Sequence, residues 1–449
     1  MGELKTLPEG WEYVNLGELF LIERGGSPRP IDDYLTDSAD GINWIKIGDT
    51  KGISKYIHKT REKIKPEGLY KSRMVYVDDF ILSNSMSFGH PYIMKTNGCI
   101  HDGWLVIRTN KEIIDTDYLY HILSSSFVYR QFSMLAKGST VKNLNIEAVK
   151  QVYIYFPPLS EQYRIVAKIE ELFSSLDKGI ESLKTAHAQL KTYRQAVLKW
   201  AFEGKLTNEN VKDGELPEGW KLQSINEIAV KITDGEHFRP KTQESGVPFL
   251  SAKDVRDHGV SFDDPLFISE KTASKALQRC NPEMGDILIV SRGATVGRMC
   301  IVNTNQTFCL LGSVILIKTK KEVDSRYITY ILKSPFANQK MIAVSGATAQ
   351  QAIYLRDIKN ILIPIAPPSE QHRIVSEIET RLSVCDKLEE SITQSLLQAE
   401  GLRQSILKKA FEGKLVPQSP NDEPACILLE RIRAERAAMP AKNATRNKR

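Results

Sequence analysis

The fold is decided by a stretch that reads PLSEQYRIV at residues 158–166 and opens a long helical run, which ends in LKWAFEGKL at 198–206. The same stretch returns 209 positions later, as PPSEQHRIV at 367–375 and LKKAFEGKL at 407–415, with no gap. About half of the aligned positions are identical. Because each copy of an internal repeat forms one structural unit, the sequence predicts two tandem halves.

Each repeat carries the periodicity of a coiled-coil helix. In the first copy, apolar residues recur in alternating steps of four and three from Ile165 to Trp200, and Gly179 interrupts them. The second copy has a poorer seam between Ile374 and Lys409. Serine N-cap candidates and terminal glycines mark both copies, at Ser160 and Gly204 and again at Ser369 and Gly413.

A long apolar seam needs a partner. Forty-odd helical residues at about 1.5 Å each form a rod of roughly 65 Å, and its apolar stripe has to be covered along that length. The two copies match without a gap over about fifty residues, and burial in a protein core alone would not require equal lengths. We therefore expect the two helices to pair with each other.

Composition sets the broad class. A chain of 449 residues fits two domains and a helical spacer better than a single core. Its net charge of +6 permits an anionic partner. The six cysteines have no C-x-x-C spacing, so neither a zinc site nor a disulfide framework is indicated, and a reducing cytoplasm is expected. There is no apolar run of membrane-span length and no signal-peptide core at the start.

The pentapeptide LPEGW opens both halves, at 7–11 and at 216–220, and a globular block of about 150 residues follows each copy. Alternating apolar segments between Gly, Asp and Asn turns predict strands, and short helices are predicted at 117–130 and 325–336. The fold class is therefore α+β. The predicted order is a first globular domain at 1–156, a first spacer helix at 157–208, a second globular domain at 209–365, a second spacer helix at 366–415, and a C-terminal amphipathic helix with a basic tail at 416–449.

The two halves agree in framework and differ in loops. Residues 83–89 read SNSMSFG, whereas the matching residues 291–297 read SRGATVG. Equal frameworks with unequal loops indicate two related domains that recognise different targets.

A basic strip lies in the first half. Residues 46–73 hold nine Lys and Arg against three Asp and Glu. Such a run is often a solvated face, but its concentration in one loop-rich segment favours contact with phosphates. The candidate DNA-binding residues of this half are Lys46, Lys51, Lys55, Lys59, Arg61 and Lys63, together with Ser85.

In the second half, cationic residues are spread over several loops. The candidates are His237, Arg239, Lys241, Lys253, Arg292 and Arg298. Two equivalently placed polar pairs are candidate base readers, because lysine suits guanine edges and Asn or Gln suits adenine. These pairs are Lys142 with Asn143 and Gln350 with Gln351, and the alternative for both is an exposed polar turn.

Catalytic motifs are missing from the sequence. It holds no G-x-x-x-x-G-K-[ST] phosphate loop, no glycine-rich methyl-donor loop and no metal-spaced group among its eight histidines. We therefore predict that this chain is not itself an enzyme and carries no metal.

Taken together, the duplicated P-[LP]-S-E-Q-x-R-I-V opening, the L-K-x-A-F-E-G-K-L ending, the LPEGW starts and the DGEH and GVPFL loops at 234–237 and 246–250 resemble the DNA-specificity subunit of type I restriction-modification enzymes. The resemblance covers essentially the whole chain. In the first half the two loop motifs are replaced, so site residues carry over less directly there.

The resemblance implies two target-recognition domains in pseudo-twofold relation, separated by two antiparallel coiled-coil helices. Each domain would read one half of a bipartite, asymmetric site in double-stranded DNA, and the helices would set the spacer. It also implies a cytoplasmic protein of a bacterium or archaeon. The subunit would dock two methyltransferase subunits and, through them, restriction and translocase subunits. S-adenosylmethionine, ATP and Mg²⁺ would belong to those partners, with no cofactor in this chain. The alternative from another class is a structural adaptor whose two domains bind protein.

Overall fold

The computed structural model divides the chain into two compact units: unit 1 comprises Met1–Ser182 and Ser395–Arg449, and unit 2 comprises Leu183–Gln394. Within the part of the chain that the structure describes, no helix is long and apolar enough to cross a membrane. The described residues are 7–438, except 54, 86–87, 137–142, 209, 213 and 345–351.

In its described residues, the globular block of unit 1 contains short strands and four short α-helices. In chain order they are β1 (Glu12–Asn15), α1 (Leu16–Leu19), β2 (Leu21–Arg24), β3 (Ile42–Ile45), β4 (Tyr56–Ile57), β5 (Glu62–Ile64), β6 (Arg73–Val75), β7 (Phe80–Ser83), β8 (Pro91–Met94), β9 (Gly98–Ile100), β10 (Trp104–Arg108), α2 (Thr116–Leu123), α3 (Ser126–Leu135), α4 (Ile146–Lys150) and β11 (Tyr153–Phe156).

Two main sheets form this block. One has the strand order β2-β10-β7-β8-β4 and the other β5-β3-β9-β6, while β1 pairs with β11. Strand β10 carries the unbroken apolar run Trp104–Ile107, which is fully buried, as expected of a strand covered on both faces. It pairs antiparallel with β2 and with β7. The central sheet therefore holds β2 in a fixed register.

The first long helix, α5 (Leu159–Phe202), has 44 residues. It follows Pro157 and Pro158 and ends before Gly204, whose positive φ of 78° suits glycine. Its start packs in the core of unit 1 through Ile165 and Ile169. Its last turns pack in the core of unit 2 through Val197 and Phe202. The end predicted at Gly204 is confirmed, but the predicted N-cap is wrong. Helix α5 begins at Leu159, so Ser160 lies within its first turn, where its Oγ donates to Asp422 Oδ1 at 2.6 Å. Ser369 likewise lies inside the second long helix, which begins at Pro368.

Unit 2 repeats the framework of unit 1. Its globular block contains β12 (Lys221–Ser224), α6 (Ile225–Ile228), β13 (Ala229–Asp234), β14 (Val247–Leu250), β15 (Val255–Arg256), β16 (Gly259–Val260), β17 (Leu266–Ile268), α7 (Glu270–Arg279), β18 (Ile287–Val290), β19 (Met299–Ile301), β20 (Cys309–Leu310), β21 (Val314–Thr319), α8 (Ser325–Lys333), α9 (Pro335–Val344), α10 (Leu355–Lys359) and β22 (Leu362–Ile365).

The two main sheets of each unit share a common set of strands, to which unit 1 adds β4 in the first sheet and β6 in the second. The order β13-β21-β18-β19 in unit 2 matches β2-β10-β7-β8 in unit 1, and β17-β14-β20 matches β5-β3-β9. In both units the second sheet contains one parallel pair, β14 with β20 and β3 with β9. The predicted α+β class and the predicted duplication are confirmed.

The second long helix, α11 (Pro368–Phe411), also has 44 residues. Five residues spaced by seven are buried along it: Ile378, Cys385, Ile392, Ala399 and Ile406. The alternate seam positions Leu388 and Leu402 are 47% and 52% exposed. The sequence predicted a weaker apolar seam in this helix, and the structure buries one of the two seam positions in each heptad.

The two long helices pair antiparallel within each unit. In unit 1, Arg403 forms an ion pair with Asp177. In unit 2, Arg194 Nη2 lies 2.6 Å from Asp386 Oδ1 and 2.9 Å from Glu389 Oε2. Residue numbers rise along one helix as they fall along the other, so the predicted pairing of the two copies is confirmed.

The C-terminal helix α12 (Ala425–Ala438) is present as predicted. Leu428, Leu429 and Ile432 enter the core of unit 1. The backbone N–H of Ala425 donates to the carbonyl of Gly10 at 2.9 Å. The helix therefore packs on the block of unit 1, and the basic tail beyond it lies outside the described residues.

One helix prediction was too long in both units. The segment at 117–130 is divided into α2 and α3, and Ser125 caps α3 by accepting from Val128 N at 3.3 Å. The segment at 325–336 is divided in the same way between α8 and α9, at Ser334 and Pro335. A serine that accepts from the following turn starts a new helix.

Candidate nucleic-acid interface

The repeated sequence motifs meet where each globular block joins its long helix. In unit 1, Trp11 Nε1 donates to Glu161 Oε2 at 2.9 Å. In unit 2, Trp220 Nε1 donates to Glu370 Oε2 at 3.0 Å. The tryptophan of LPEGW and the glutamate of SEQ thus form one joint in both units. Burial raises the pKa of Glu161, against the opposing effect of the Trp11 hydrogen bond.

The neighbouring glutamine completes the joint. Gln162 accepts from Asp115 N at 2.9 Å and donates to Pro157 O at 3.0 Å. Its counterpart Gln371 accepts from Asp324 N at 2.9 Å and donates to Ala366 O at 2.8 Å. Both glutamines are almost fully buried. The SEQ motif therefore fixes the block to its helix by the same bonds in both units.

Some basic side chains of the strip in unit 1 bond to neighbouring residues, and others are exposed to solvent. Lys46 forms an ion pair with Glu62, and Lys63 Nζ donates to Ser38 O at 3.3 Å. By contrast, Lys51 and Lys59 are exposed. Arg61 is 71% exposed and reaches Asp49 at 4.0 Å. Lys51, Lys59 and Arg61 are the members of the strip best placed to meet an external anion.

Lys55 is placed differently from the rest of the strip. Its Nζ lies 2.6 Å from Asp117 Oδ1 and 5.1 Å from the ring centroids of Tyr56 and Tyr120, and the side chain is only 16% exposed. Partial burial lowers the pKa of Lys55, but the hydrogen bond to Asp117 outweighs it and the pKa is raised overall. This lysine pairs with the partly exposed carboxylate of Asp117, a placement that fits a structural role better than a phosphate contact.

The candidate base readers lie beside the loops that differ between the halves. In unit 1, Leu144 N donates to Asn84 O at 2.8 Å, which places exposed Asn143 next to half-buried Ser85. In unit 2, Ile353 N donates to Ser291 O at 2.9 Å, and Arg292 pairs with Ala352. The same two segments therefore adjoin in both units. Lys142, Gln350 and Gln351 lie outside the described residues.

The DGEH loop of unit 2 is held by an ion-paired cluster. Arg279 Nη2 lies 2.5 Å from Asp234 Oδ1 and 2.7 Å from His237 Nε2. Asp234 Oδ2 is 3.5 Å from the same histidine nitrogen. This cluster orients His237 on the surface, where Arg239 and Lys241 follow it as exposed residues.

The remaining two candidates of unit 2 are Lys253, which is held in an ion pair, and Arg298, which is half-buried. Lys253 Nζ is 2.9 Å from Asp264 Oδ2. That bond raises the pKa of Lys253, and the positive charge of Arg239 acts in the opposite direction. Arg298 is half-buried, and its carbonyl accepts from Val290 N at 2.8 Å.

Comparison with known proteins places these features in a family. Residues 8–191 and 217–398 each match the family model of the type I restriction modification DNA specificity domain. The chain belongs to this family. The two matched segments coincide with the duplication, so each half of the chain is one copy of the specificity domain.

Relatives and solved structures of the specificity family span nearly the whole chain. The specificity subunit of the type I restriction enzyme EcoKI from Escherichia coli K12 is 28% identical over 473 residues, covering 98% of this chain and 99% of its own. The putative MjaX specificity subunit from Methanocaldococcus jannaschii is 28% identical over 437 residues, covering 92% of this chain and 95% of its own.

Two solved structures share the fold of this specificity-family chain. A chain from work on the assembly and conformational transition of the type I R-M system has a TM-score of 0.70 at 22% identity, covering 91% of this chain and all of that one. The HsdS subunit from Thermoanaerobacter tengcongensis has a TM-score of 0.64 at 22% identity, covering 92% of this chain and 99% of its own.

The side chains of Cys280 and Cys309 in this specificity-family chain are buried. Within the described residues, no group of three or more His, Cys, Asp or Glu is placed to hold a metal ion. Burial raises the pKa of Cys280 to about 12 and that of Cys309 to about 11, so these thiols stay protonated and poorly nucleophilic at neutral pH. Exposed cationic and amide side chains lie on the loops, among them Lys51, Arg239 and Asn143.

Two exposed residues were not among the candidates taken from the sequence. Phe238, between His237 and Arg239, is 89% exposed. Arg29 in unit 1 is 80% exposed, and its nearest carboxylate partner is Asp102 at 3.6 Å. The dipeptide Arg-Pro at 29–30 and 239–240 was the available signal, but it recurs with a spacing of 210 rather than 209 and so falls outside the repeat alignment.

Proposed function

We propose that each unit of this specificity-family chain reads one half of a bipartite, asymmetric DNA site. The observation that carries the proposal is the contrast between the two copies. Their joints are built from the same bonds, at 2.9 and 3.0 Å, while their exposed loops carry different side chains, such as Ser85 and Arg292. Matched scaffolds with unmatched loops are what recognition of two different half-sites requires.

Cationic side chains supply the affinity in this proposal. Lys51, Lys59 and Arg61 are exposed in unit 1, and Arg239, Lys241 and Arg292 are exposed in unit 2. Lysine and arginine at a DNA surface displace counterions from phosphates, so binding weakens as salt rises. Side chains on the adjoining loops, including Asn143 and Arg292, would then meet base edges in the major groove.

We assign the paired helices the roles of spacer and docking platform. Both helices have 44 residues, a length of roughly 66 Å at 1.5 Å per residue. Apolar side chains remain uncovered on α11, where Val384, Leu388 and Leu402 are 53%, 47% and 52% exposed. Apolar residues left at or beside a coiled-coil seam are suited to further helices. The partners proposed for these positions are two methyltransferase subunits.

Chemistry in this proposal belongs to other subunits. The methyltransferase subunits would bind S-adenosylmethionine, and restriction and translocase subunits reached through them would use ATP and Mg²⁺. This chain would contribute no cofactor of its own and would work in the cytoplasm. Its contribution is the choice of sequence.

The deciding experiment maps methylated bases in a host that expresses the full chain with its methyltransferase subunit. One bipartite motif with two unlike halves is expected. The variant Arg292→Ala should change or relax the half read by unit 2 and leave the other half unchanged, whereas Lys221→Ala, an exposed lysine on β12, should change neither. Absence of a motif, together with salt-insensitive binding to protein, would favour the adaptor.

A further inference from the structure

Equivalent loops leave equivalent strands in the two units. The loop at residues 25–30, here called the unit 1 tip, follows β2, and the loop at 235–240, the unit 2 tip, follows β13. Gly25 N donates to Trp104 O at 2.9 Å, and Gly235 N donates to Val314 O at 3.2 Å. Both tips therefore leave the central sheet beside the same neighbouring strand, β10 or β21.

The next residue of each tip is anchored in the same way. Gly26 N donates to Ile100 O at 3.1 Å, and Glu236 N donates to Leu310 O at 2.8 Å. A Cβ atom on Gly25 would overlap the carbonyl oxygen of His101, and one on Gly235 would overlap that of Leu310. Both positions need glycine because the backbone passes directly over another strand. The first two residues of the two tips are thus anchored in the same way, 210 positions apart.

Arginine occupies the same step of both tips. Arg29 and Arg239 each lie four residues after the anchoring glycine and directly before a proline, and both are exposed. The nearest carboxylate partner of Arg29 lies at 3.6 Å and leaves the side chain 80% exposed. The positive charge of Arg239 opposes the rise in the pKa of Lys253. The charge is the same in both units although the surrounding loops differ.

The residue before each arginine differs between the tips in its type and in its exposure to solvent. Pro28 is buried, and its Cγ lies 3.4 Å from the position that a Cβ on Gly68 would take. Phe238 is 89% exposed, and the chain beyond it is fixed again where Gln243 N donates to Phe267 O at 3.0 Å. Unit 2 thus holds a bare aromatic ring between two anchored points.

The arginine that both tips share and the phenylalanine that only the unit 2 tip carries can each be matched to a part of DNA. Two unlike half-sites share their phosphates and differ in their bases. A cation kept at one position of both units therefore suits phosphate, and a side chain present in one unit alone suits a base. Resting on the function proposed above, we infer that Arg29 and Arg239 bind backbone phosphates at their half-sites and that Phe238 contacts a thymine in the half read by unit 2.

Thymine is chosen because a stacked duplex offers Phe238 one apolar partner in the major groove. That partner is the thymine C5-methyl group, and Phe is among the side chains that contact it. The alternative, insertion of the ring between base pairs, requires unstacking and kinking. A ring flanked by His237 and Arg239 on a short anchored loop reaches a groove edge without that distortion.

The arginine part is tested by salt titration of DNA binding with the full chain assembled with its methyltransferase subunits. Arg29→Gln and Arg239→Gln should each weaken binding to all sequences and reduce the slope of log K against log salt by about 1, with the methylated motif unchanged. Lys221→Gln, which removes one exposed charge elsewhere in unit 2, should leave the slope unchanged. Unchanged slopes for both arginine variants, or an equal change for the control, would overturn the assignment.

The phenylalanine part is tested on the mapped site. Phe238→Ala should weaken binding to the cognate site by about tenfold and relax one position of the unit 2 half. Replacing the thymine at that position by deoxyuridine should weaken wild type to a similar extent and leave the variant unaffected. Phe336→Ala, a 46% exposed phenylalanine of the same unit, is the matched control. The thymine contact would be overturned if wild type bound the deoxyuridine site as tightly as the thymine site and 2-aminopurine fluorescence showed unstacked bases. That result would mean that the Phe238 ring inserts between base pairs.

These outcomes separate the inference from the function on which it rests. If the wild-type assembly produces no bipartite motif, the proposed function fails. If the motif appears and the tip variants behave like their controls, the function stands and the inference fails.

Discussion

Trp11 Nε1 lies 2.9 Å from Glu161 Oε2, and 209 positions later Trp220 and Glu370 repeat the bond at 3.0 Å. Each pair links the first residues of a globular block to the first turn of a long helix, 150 residues further along the chain. The same bond therefore holds each globular block against the start of the long helix that follows it in the chain.

Removing the indole donor should destabilise one unit at a time. Trp11→Phe keeps most of the buried ring area but removes the indole N–H that donates to the Glu161 carboxylate, and a lost buried bond of this kind costs about 1–3 kcal/mol. Hydrogen exchange followed by peptide should show faster exchange at the start of α5 in this variant. Trp220→Phe is the matched control and should affect α11 instead. Equal protection of both helices in both variants would contradict the assigned role of the joint.

The buried His121 should make stability depend on pH. Burial, reinforced by the charge of Lys55, lowers the pKa of His121 to about 4, whereas an unfolded histidine titrates near pH 6.5. Between these values the unfolded chain binds a proton that the folded chain does not, so stability falls as pH drops, by at most about 1.4 kcal/mol per pH unit.

Urea unfolding of wild type and His121→Gln at several pH values between 7 and 4.5 measures this effect. The variant should lose less stability than wild type over that interval. His58→Gln, a change at an exposed histidine, should run parallel to wild type. A parallel curve for His121→Gln as well would rule out the assignment.

Lengthening both long helices should lengthen the spacer between half-sites. Four residues inserted after Leu190 in α5 and after Glu390 in α11 add about one turn, or roughly 6 Å, to each helix. Methylation mapping should then return a motif with a longer gap and the same half-sites. The same four residues added after Arg449 provide the control, and an unchanged gap in the double insertion would reject the spacer role.

Charge placed on the uncovered face of α11 should weaken assembly. Leu388 and Leu402 are 47% and 52% exposed, so Leu388→Glu and Leu402→Glu should leave the fold of the free chain intact. If these residues receive the methyltransferase subunits, each change should reduce complex formation at least tenfold, as burying an unpaired charge requires. Light scattering after size exclusion measures it, with exposed Gln398→Glu as control. Normal assembly of both leucine variants would place the docking surface elsewhere.

The long helices were predictable because their signals are local. Gly204 and the apolar seam lie in or directly beside the helix that they mark, and α5 ends at Phe202, just before that glycine. The N-cap prediction at Ser160 was wrong because α5 begins one residue earlier, at Leu159. The division of 117–130 at Ser125 was missed because the apolar pattern continues across the break. Periodicity reports which face is apolar and does not report a serine that ends one helix and caps the next.

The DNA-binding candidates were less predictable because ion pairs join distant parts of the chain. Lys51 and Lys55 look alike in the sequence, yet Asp117, 62 residues away, engages Lys55 at 2.6 Å and leaves Lys51 exposed. Arg29 was missed for a different reason. Its counterpart is Arg239, and the single-residue shift between the two tips becomes visible only when their hydrogen bonds to β10 and β21 are compared.

The joint between block and helix has an evolutionary consequence. The bonds of Trp11, Glu161 and Gln162 in one unit are the same as those of Trp220, Glu370 and Gln371 in the other. A gene segment that encodes either block and the start of its helix therefore also encodes the residues that attach the two. Recombination at these points can exchange one block for a foreign one without redesigning the attachment. Under the function proposed above, a block exchanged in this way would bring a new half-site with it in one step.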